Sequence, residues 1–424
     1  MIIPSIDLMN GAAVQLIGGR EKAFDAGDPI PLAEKFRLAG EIAVIDLDAA
    51  TGCGENSDVI HKLLRVGRCR VGGGIRTVDV ALDWLDAGAE KIILGTAAVP
   101  DVLRHLPRDR VIAALDADSG EIMTHGWRQR TGRRVIDRMK ELRDLVGGFL
   151  VTFIEREGRM TGIDRRRVSE IVGASGDARV TIAGGITTPG DIAWLDGLGA
   201  DAQVGMALYS GRLDLADAIG APLVSDRPDG LWPTVVADQH GQALGLAWSN
   251  RESLREAVRM CCGVYHSRQR GLWVKGASSG ATQELLQIAL DCDRDCLRFT
   301  VRQQGPGFCH LGTRTCWGRT GGISELAGRL RTVREIRPTS SYTCRLFDDP
   351  QLLRAKLIEE AGELADAIDR GHVISEAADL IYFTLVAATR GGASFPAIEA
   401  ELNRRALAVR RRPGNAKCSR KECL

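Results

Sequence analysis

The sequence predicts a multidomain chain: an eight-stranded parallel (β/α)8 barrel over residues 1–222, a small α+β domain over 223–336 and an all-α domain over 337–424. Three observations carry this expectation. Eight short apolar runs alternate with amphipathic stretches in the first part: IIPSIDL, IAVIDLD, CRVGGGI, KIILG, VIAALDA, FLVTFIE, RVTIAGGI and DAQVGMA. Three motifs also return at a nearly constant offset of about 110 residues. VGGGIRT, ending at Thr77, returns as IAGGITT, ending at Thr188; LGTAAV with Gly95 returns as VGMALY with Gly205; IDLMNG with Asp7 returns as LDADSG with Asp116. A repeat of that length describes two half-barrels of four βα units. Finally, the texture changes twice beyond the Pro- and Gly-bearing stretch APLVSDRPDG, which reads as a linker. LWPTVVAD, LGLAWS, GLWVKG and CLRFTVRQ alternate with SLREAVRMCC and ATQELLQIAL, whereas from RPTSSYT onward apolar residues recur at helical spacing.

With 424 residues, 44% of them hydrophobic and 26% charged, the chain can bury more than one core. A formal net charge of +1 gives no reason to expect nucleic acid or a membrane as partner. The start MIIPSIDL runs straight into a strand pattern, and a cytoplasmic enzyme is expected. Of 11 cysteines, six fall between Cys261 and Cys316, a clustering that suits a local metal site better than a disulfide framework. The tail RRALAVRRRPGNAKCSRKECL reads as a solvated basic terminus.

In a barrel of this kind chemistry lies at the C-terminal strand ends. Asp7 and Asp116 end strands one and five, so the repeat sets them across the mouth from each other, one able to act as general base and the other as general acid. Glycines at the ends of strands three, four, seven and eight, including Gly74, Gly95 with its neighbour Thr96, Gly185 and Gly205, offer backbone N–H groups at two opposed places. Such a pair suits a substrate with a phosphate at each end.

The wording IPSIDLMNG, VGGGIRT, ILGTAAV, ALDADSG with THGW, IAGGIT and VGMALYSG resembles the phosphoribosylformimino-aminoimidazole-carboxamide ribotide isomerases over the first 220 residues. The resemblance implies an Amadori rearrangement, with Asp7 as base beside the anomeric carbon and Asp116 as the acid that opens the ribose; Thr152 and Trp127 also occupy family positions. Phe153, Glu157, Arg159 and Met206 depart from the common bacterial pattern. The alternative that Phe153, Arg159 and Met206 raise is a barrel that serves as a non-catalytic scaffold, leaving only two hydrolase activities.

The segment DCDRD alternates Asp291, Asp293 and Asp295 with Cys292. If extended, it projects three carboxylates to one face and the thiol to the other. Hard oxygens suit Mg2+ and thiolates suit Zn2+, so Cys292, Cys309 and Cys316 are candidate zinc ligands that leave a fourth position for water. His310 is a candidate proton carrier. Together with HSRQRGLWVKGASSG and TRTCWG, these motifs resemble phosphoribosyl-AMP cyclohydrolase from about Asp229 to Gly318. That resemblance implies opening of the purine ring by zinc-activated hydroxide, with Ser267, Arg268, Trp273, Lys275 and Ser279 lining the nucleotide pocket.

In KLIEEAGELADA, Glu359, Glu360 and Glu363 share a helix face, and Glu376 and Asp379 repeat the three-residue spacing inside the apolar SEAADLIYFTL. Carboxylates on facing helices call for a cation, here magnesium. With RPTSSYTCRLFDDP, these motifs resemble the phosphoribosyl-ATP pyrophosphohydrolases, which implies magnesium-assisted hydrolysis between the α- and β-phosphates, with Lys356 as a phosphate contact. A helical domain this small is expected to form a homodimer. The three resemblances together imply a histidine-biosynthesis fusion acting on small phosphoribosyl nucleotides.

Overall fold

The computed structural model describes residues 1–124, 126–127, 129–318 and 321–411. Eight parallel strands close a barrel: β1 (Ile2–Met9), β2 (Glu41–Asp46), β3 (Arg68–Gly72), β4 (Lys91–Leu94), β5 (Val111–Asp118), β6 (Gly148–Phe153), β7 (Arg179–Ala183) and β8 (Asp201–Val204). Each pairs with the next, and β8 returns to β1 with Ile2 opposite Ala202. All eight apolar runs form these strands, because a strand covered on both faces must be apolar along its length. Ile93, Ile112, Leu150 and Ala183 fill the interior, and the N-terminal end is closed by the buried Arg70, which donates to Thr181 Oγ1 at 2.9 Å and pairs with Glu41.

The internal repeat recurs in the caps. Thr77 and Thr188 each accept a backbone N–H at the start of the next helix, Val78–Ala87 and Pro189–Gly197, so the Thr that ends each glycine motif sets a helix start. Two antiparallel excursions at equivalent places escape the periodicity argument: Ala12–Ile17 with Glu21–Gly27 after β1, and Glu121–Thr124 with Gln129–Arg134 after β5. Both rise over the mouth of the barrel.

The chain divides into two compact units, one of Met1–Val236, Leu246–Gly305 and the C-terminal segment from Arg405, the other of Ala237–Gly245 and Pro306–Arg404. In the first, APLVSDRPDG is not a free tether: Leu223 is buried and Val224 N–H donates to Arg294 O at 2.9 Å. A four-stranded sheet combines Ala243–Ser249, Trp232–Asp238, Leu297–Gln303 and Gln283–Leu290 in that order, and the helix Arg251–Met260 packs its buried Leu254, Ala257 and Val258 inward. The described part of the basic tail is held as well. Arg410 pairs with Asp86 and Asp83, and Arg110 donates to Leu407 O at 3.0 Å. From Arg412 the expected solvated terminus lies outside the described residues.

The second unit is built on helices Ile323–Ile336, Tyr342–Asp348, Pro350–Asp366, Arg370–Arg390 and Phe395–Ala406. Asp349 and Asp369 cap the two long helices, and Pro350 occupies the first helical position, where its missing N–H costs nothing. Leu330, Leu346, Phe347, Leu353, Phe383, Leu385 and Val386 form the core, so the helix ending at Ile336 shares it with those after Arg337. Arg370–Arg390 is long and apolar enough to cross a membrane by length and composition; in this fold it supplies Phe383, Leu385 and Val386 to that core.

Candidate active sites

The barrel mouth holds a cavity of about 500 Å³ whose lining includes Asp7, Gly74, Gly95, Thr96, Asp116, Trp127, Thr152, Gly185 and Gly205. Every barrel residue expected from the sequence to act on or bind substrate thus reaches one space. Asp7, at the end of β1, accepts from Ser5 Oγ at 2.9 Å and Gln15 Nε2 at 3.3 Å. Burial pushes its carboxyl up to about 6, against those two hydrogen bonds. Asp116, at the end of β5, is also raised by burial, while Trp127 and Thr152 hydrogen-bond to it and oppose the shift. Of the THGW loop, Thr124, Gly126 and Trp127 are described, and His125 lies outside the described residues.

Sequence reasoning missed three polar neighbours. Ser5 and Gln15 hold Asp7, and Gln15 arrives from the excursion after β1. Gly205 leaves room for that contact, since a Cβ would stand 2.3 Å from Gln15 Oε1 and push the amide aside. The third is Glu157, noted in the sequence only as a departure. It lies in the cavity lining and is pushed up to about 8 by burial and by the charges of Asp7 and Asp116. Gly185, at φ +90°, would meet Gly162 O at 2.4 Å if it carried a Cβ, so this backbone approach admits glycine alone.

The other departures fall differently. On β6 Leu150 and Thr152 line the cavity while Phe153 is buried and absent from the lining, as the two-residue strand period requires, so the change at 153 faces away from the chemistry. Arg159 is exposed and absent from the lining, whereas Met206 lines the cavity at the start of the short helix Met206–Tyr209.

Glu157 also predicts a pH effect on stability. Between the ordinary carboxylate range and about pH 8 the unfolded chain has released this proton and the folded barrel keeps it, so stability falls as pH rises through that window. Glu157→Gln is therefore expected to gain in melting temperature over the native chain progressively from about pH 5 to about pH 8, by roughly 2–4 °C per kcal/mol. A pH-independent difference in thermal scans would contradict the burial of this group.

In the first unit, the DCDRD segment is a turn, not the extended stretch expected. Asp291 Oδ1 accepts from the N–H groups of Asp295 and Cys296, both at 3.1 Å, and Arg294 takes φ 66°. The fold of the turn, rather than strand alternation, brings Asp291, Asp293 and Asp295 together, with carboxylate oxygens within 4.8 Å of one another. Such a set of hard oxygens fits magnesium. Cys292 is exposed on the same loop.

The expected nucleotide-pocket residues lie around the hairpin Val264–Ser267 with Gly271–Val274. Ser267 Oγ accepts from Arg270 N–H at 3.3 Å, Ser279 Oγ from Ala281 N–H at 3.4 Å, and the buried Lys275 donates to Ala281 O at 3.2 Å. Trp273 packs against Tyr265, and Arg268 lies 5.4 Å from the ring centre of Trp248, an aromatic platform the sequence reading overlooked.

In the second unit, Cys309 and Cys316 adjoin. Backbone N–H groups after Cys309, the Thr313 side chain and Cys316 hold the Cys309 thiol below its usual range, which favours the thiolate a zinc ion requires. A Cβ on Gly245 would stand 2.2 Å from the Phe308 ring and 3.0 Å from Cys316 Sγ, so the glycine leaves room for both side chains. His310 is exposed, with Nδ1 4.0 Å from Cys309 Sγ.

Across the two long helices, Glu360, Glu363 and Glu376 place carboxylate oxygens within 4.8 Å. Glu360 and Glu376 are buried, and Glu376 is raised by burial and by Glu363. Crowding of this kind is relieved by a divalent cation, so the donor set fits magnesium. Glu359 and Asp379 are not in that cluster. Glu359 turns to Lys356 at 2.8 Å, and Asp379 is exposed one turn beyond Glu376. Lys356 also pairs with Glu360 at 2.7 Å, so in this state it neutralises the carboxylates rather than standing ready for phosphate.

Three parts with separate donor sets thus lie in order along the chain. Residues 1–214 match the histidine biosynthesis protein family, 245–318 phosphoribosyl-AMP cyclohydrolase and 323–406 phosphoribosyl-ATP pyrophosphohydrolase. The chain belongs to the histidine biosynthesis protein family, and the resemblances read from the sequence hold in the same order.

Among curated relatives, the histidine biosynthesis trifunctional protein of Neurospora crassa is 37% identical over 351 residues, covering 81% of this chain and 38% of that one. The histidine biosynthesis bifunctional protein his7 of Schizosaccharomyces pombe is 48% identical over 213 residues, 50% of this chain and 51% of that one. A phosphoribosyl imidazole-4-carboxamide isomerase of Methanocaldococcus jannaschii is 34% identical over 232 residues, 52% of this chain and 98% of that one. The chain spans 38% and 51% of the length of those two fungal relatives. The scaffold alternative gains nothing from these likenesses, since the archaeal relative matched over nearly its whole length is an isomerase.

Proposed function

We propose that this chain is a trifunctional histidine-biosynthesis enzyme: it hydrolyses phosphoribosyl-ATP to phosphoribosyl-AMP and pyrophosphate, opens the purine ring of phosphoribosyl-AMP, and isomerises the resulting aminoaldose. The observation that carries the reading is the barrel cavity, where Asp7 and Asp116 face one space from repeat-equivalent strands beside glycines that leave backbone N–H groups for phosphate. Asp7, near 6, is ionised at neutral pH and takes the proton next to the anomeric carbon. Asp116, held by Trp127 and Thr152, gives a proton to the ring oxygen, and Glu157 keeps its own proton between them.

For ring opening, Cys309 and Cys316 are the thiolates the geometry supports for zinc; Cys292 is kept as a third on the resemblance alone, and Asp291, Asp293 and Asp295 would hold magnesium. For pyrophosphate release, Glu360, Glu363 and Glu376 would hold magnesium, with Glu359 and Asp379 kept as further ligands and Lys356 as a phosphate contact on the resemblance alone. When bound, zinc acidifies a water and magnesium offsets phosphate charge. Exposed Ile358, Ile374 and Ile381 on the two long helices support a homodimer, and a cytoplasmic setting completes the proposal.

The test is turnover by the purified full-length chain, given phosphoribosyl-ATP with magnesium and zinc, following pyrophosphate, the opened ring and the ketose in one reaction. All three products are expected. Glu363→Gln or Glu376→Gln is expected to lower pyrophosphate release at least about a hundredfold while isomerisation of supplied aminoaldose continues. Full pyrophosphate release by both variants would reduce the cluster to a structural acidic face.

A further inference from the structure

The barrel helix Pro189–Gly197 carries Asp196, whose side chain is 7% exposed and which grips Arg294 through two oxygens, at 2.8 Å to Nε and 3.0 Å to Nη2. Arg294 is the residue in the left-handed region at the centre of the Asp291–Cys296 turn. A side chain with a Cβ adopts that conformation only when its surroundings hold it there. Here they do so from three sides. The third guanidinium nitrogen donates to Asp291 O, Arg294 O accepts from Val224 N–H at 2.9 Å, and the planar fork matches the Asp196 carboxylate.

We propose that the barrel positions the metal loop of the cyclohydrolase part through this Asp196–Arg294 clamp, so that a barrel helix is an outer component of the Asp291–Asp293–Asp295 site. The proposal rests on reading that trio as a magnesium site. Three carboxylates with oxygens within 4.8 Å repel one another, and an untethered turn would open to separate them. Asp291 Oδ1 closes the turn on its own backbone at Asp295 and Cys296, but nothing in that ring sets where the turn points. The clamp does, with a charge-assisted pair that is three-quarters or more buried on both sides. Asp196 and Arg294 are positioning residues: neither supplies an oxygen to the ion.

The measurement is Mn2+ affinity of the full-length chain by electron paramagnetic resonance of free Mn2+, in a Glu360→Gln/Glu363→Gln background that silences the helical cluster. Asp293→Asn is expected to remove the remaining site, and Asp196→Ala and Arg294→Gly are each expected to weaken it at least about tenfold, as loss of an outer-shell partner does. Arg294→Gly suits the left-handed backbone better than Arg, so a loss there isolates the grip from any strain, and it decides the matter should Asp196→Ala fail to fold. If Asp293→Asn removes Mn2+ and neither clamp variant changes affinity, the clamp is refuted and the magnesium reading stands. If Asp293→Asn itself changes nothing, the magnesium reading falls, and the clamp with it.

Discussion

Asp7→Asn and Asp116→Asn are each expected to lower isomerase turnover at least about a hundredfold, or about 3 kcal/mol of transition-state stabilisation. The expectation follows from placement. Both carboxylates end repeat-equivalent strands, both are half-buried in the wall of one cavity, and both are raised by desolvation there toward the pH at which proton transfer is useful. Substrate affinity should change little if, as proposed, the backbone around Gly74, Gly95, Gly185 and Gly205 in the cavity wall carries the phosphate binding. The double variant should be little worse than either single one, since the two groups serve one reaction. The rate should rise with pH through about 6 as Asp7 ionises, and Asp7→Asn should abolish that limb. A folded barrel with no detectable isomerisation before mutation would instead identify it as a scaffold, and the steady-state assay on supplied aminoaldose decides between the two.

The second large effect is expected at the thiol pair. Cys309→Ser and Cys316→Ser should each abolish ring opening and lower zinc content, because a serine hydroxyl does not ionise to give zinc the anionic ligand that a thiol does. Pyrophosphate release should persist in both variants, since its carboxylates belong to helices with their own core. Metal analysis of the purified variants is the check. Unchanged zinc in both would remove these thiols from the ligand set. Cys292→Ser, measured alongside, tests the third thiolate separately.

Much of the barrel was legible because its physics is local. A strand covered on both faces has to be apolar throughout, so eight apolar runs leave a readable trace, and the repeated motifs ending at Thr77 and Thr188 mark equivalent places whose capping role only the structure shows. Asp7 and Asp116 were legible for a related reason: the duplication wrote the same position twice. The helical carboxylates were half legible. Spacing brought Glu360, Glu363 and Glu376 to one place, but it offered Glu359 equally, and only the folded helix pair shows Glu359 outside the cluster and paired with Lys356.

The turn at Asp291–Cys296 was misread because alternation along a sequence means opposite faces only in an extended chain, and Arg294 in the left-handed region removes that condition. The sequence alone determined the class of each part and the order of the three parts, and it named the charged residues proposed to carry the chemistry, since composition, period and repeat are properties of the chain itself. Tertiary structure decided what those residues meet. Gln15 reaches Asp7 only because Gly205 yields space, Glu157 is raised because the closed barrel buries it beside two other carboxylates, Phe153 faces away because the strand period puts it there, and the acidic turn is aimed by a barrel helix distant in sequence. Each depends on distances between residues far apart in the chain, and desolvation and steric exclusion act through those distances without leaving a periodic mark in the sequence.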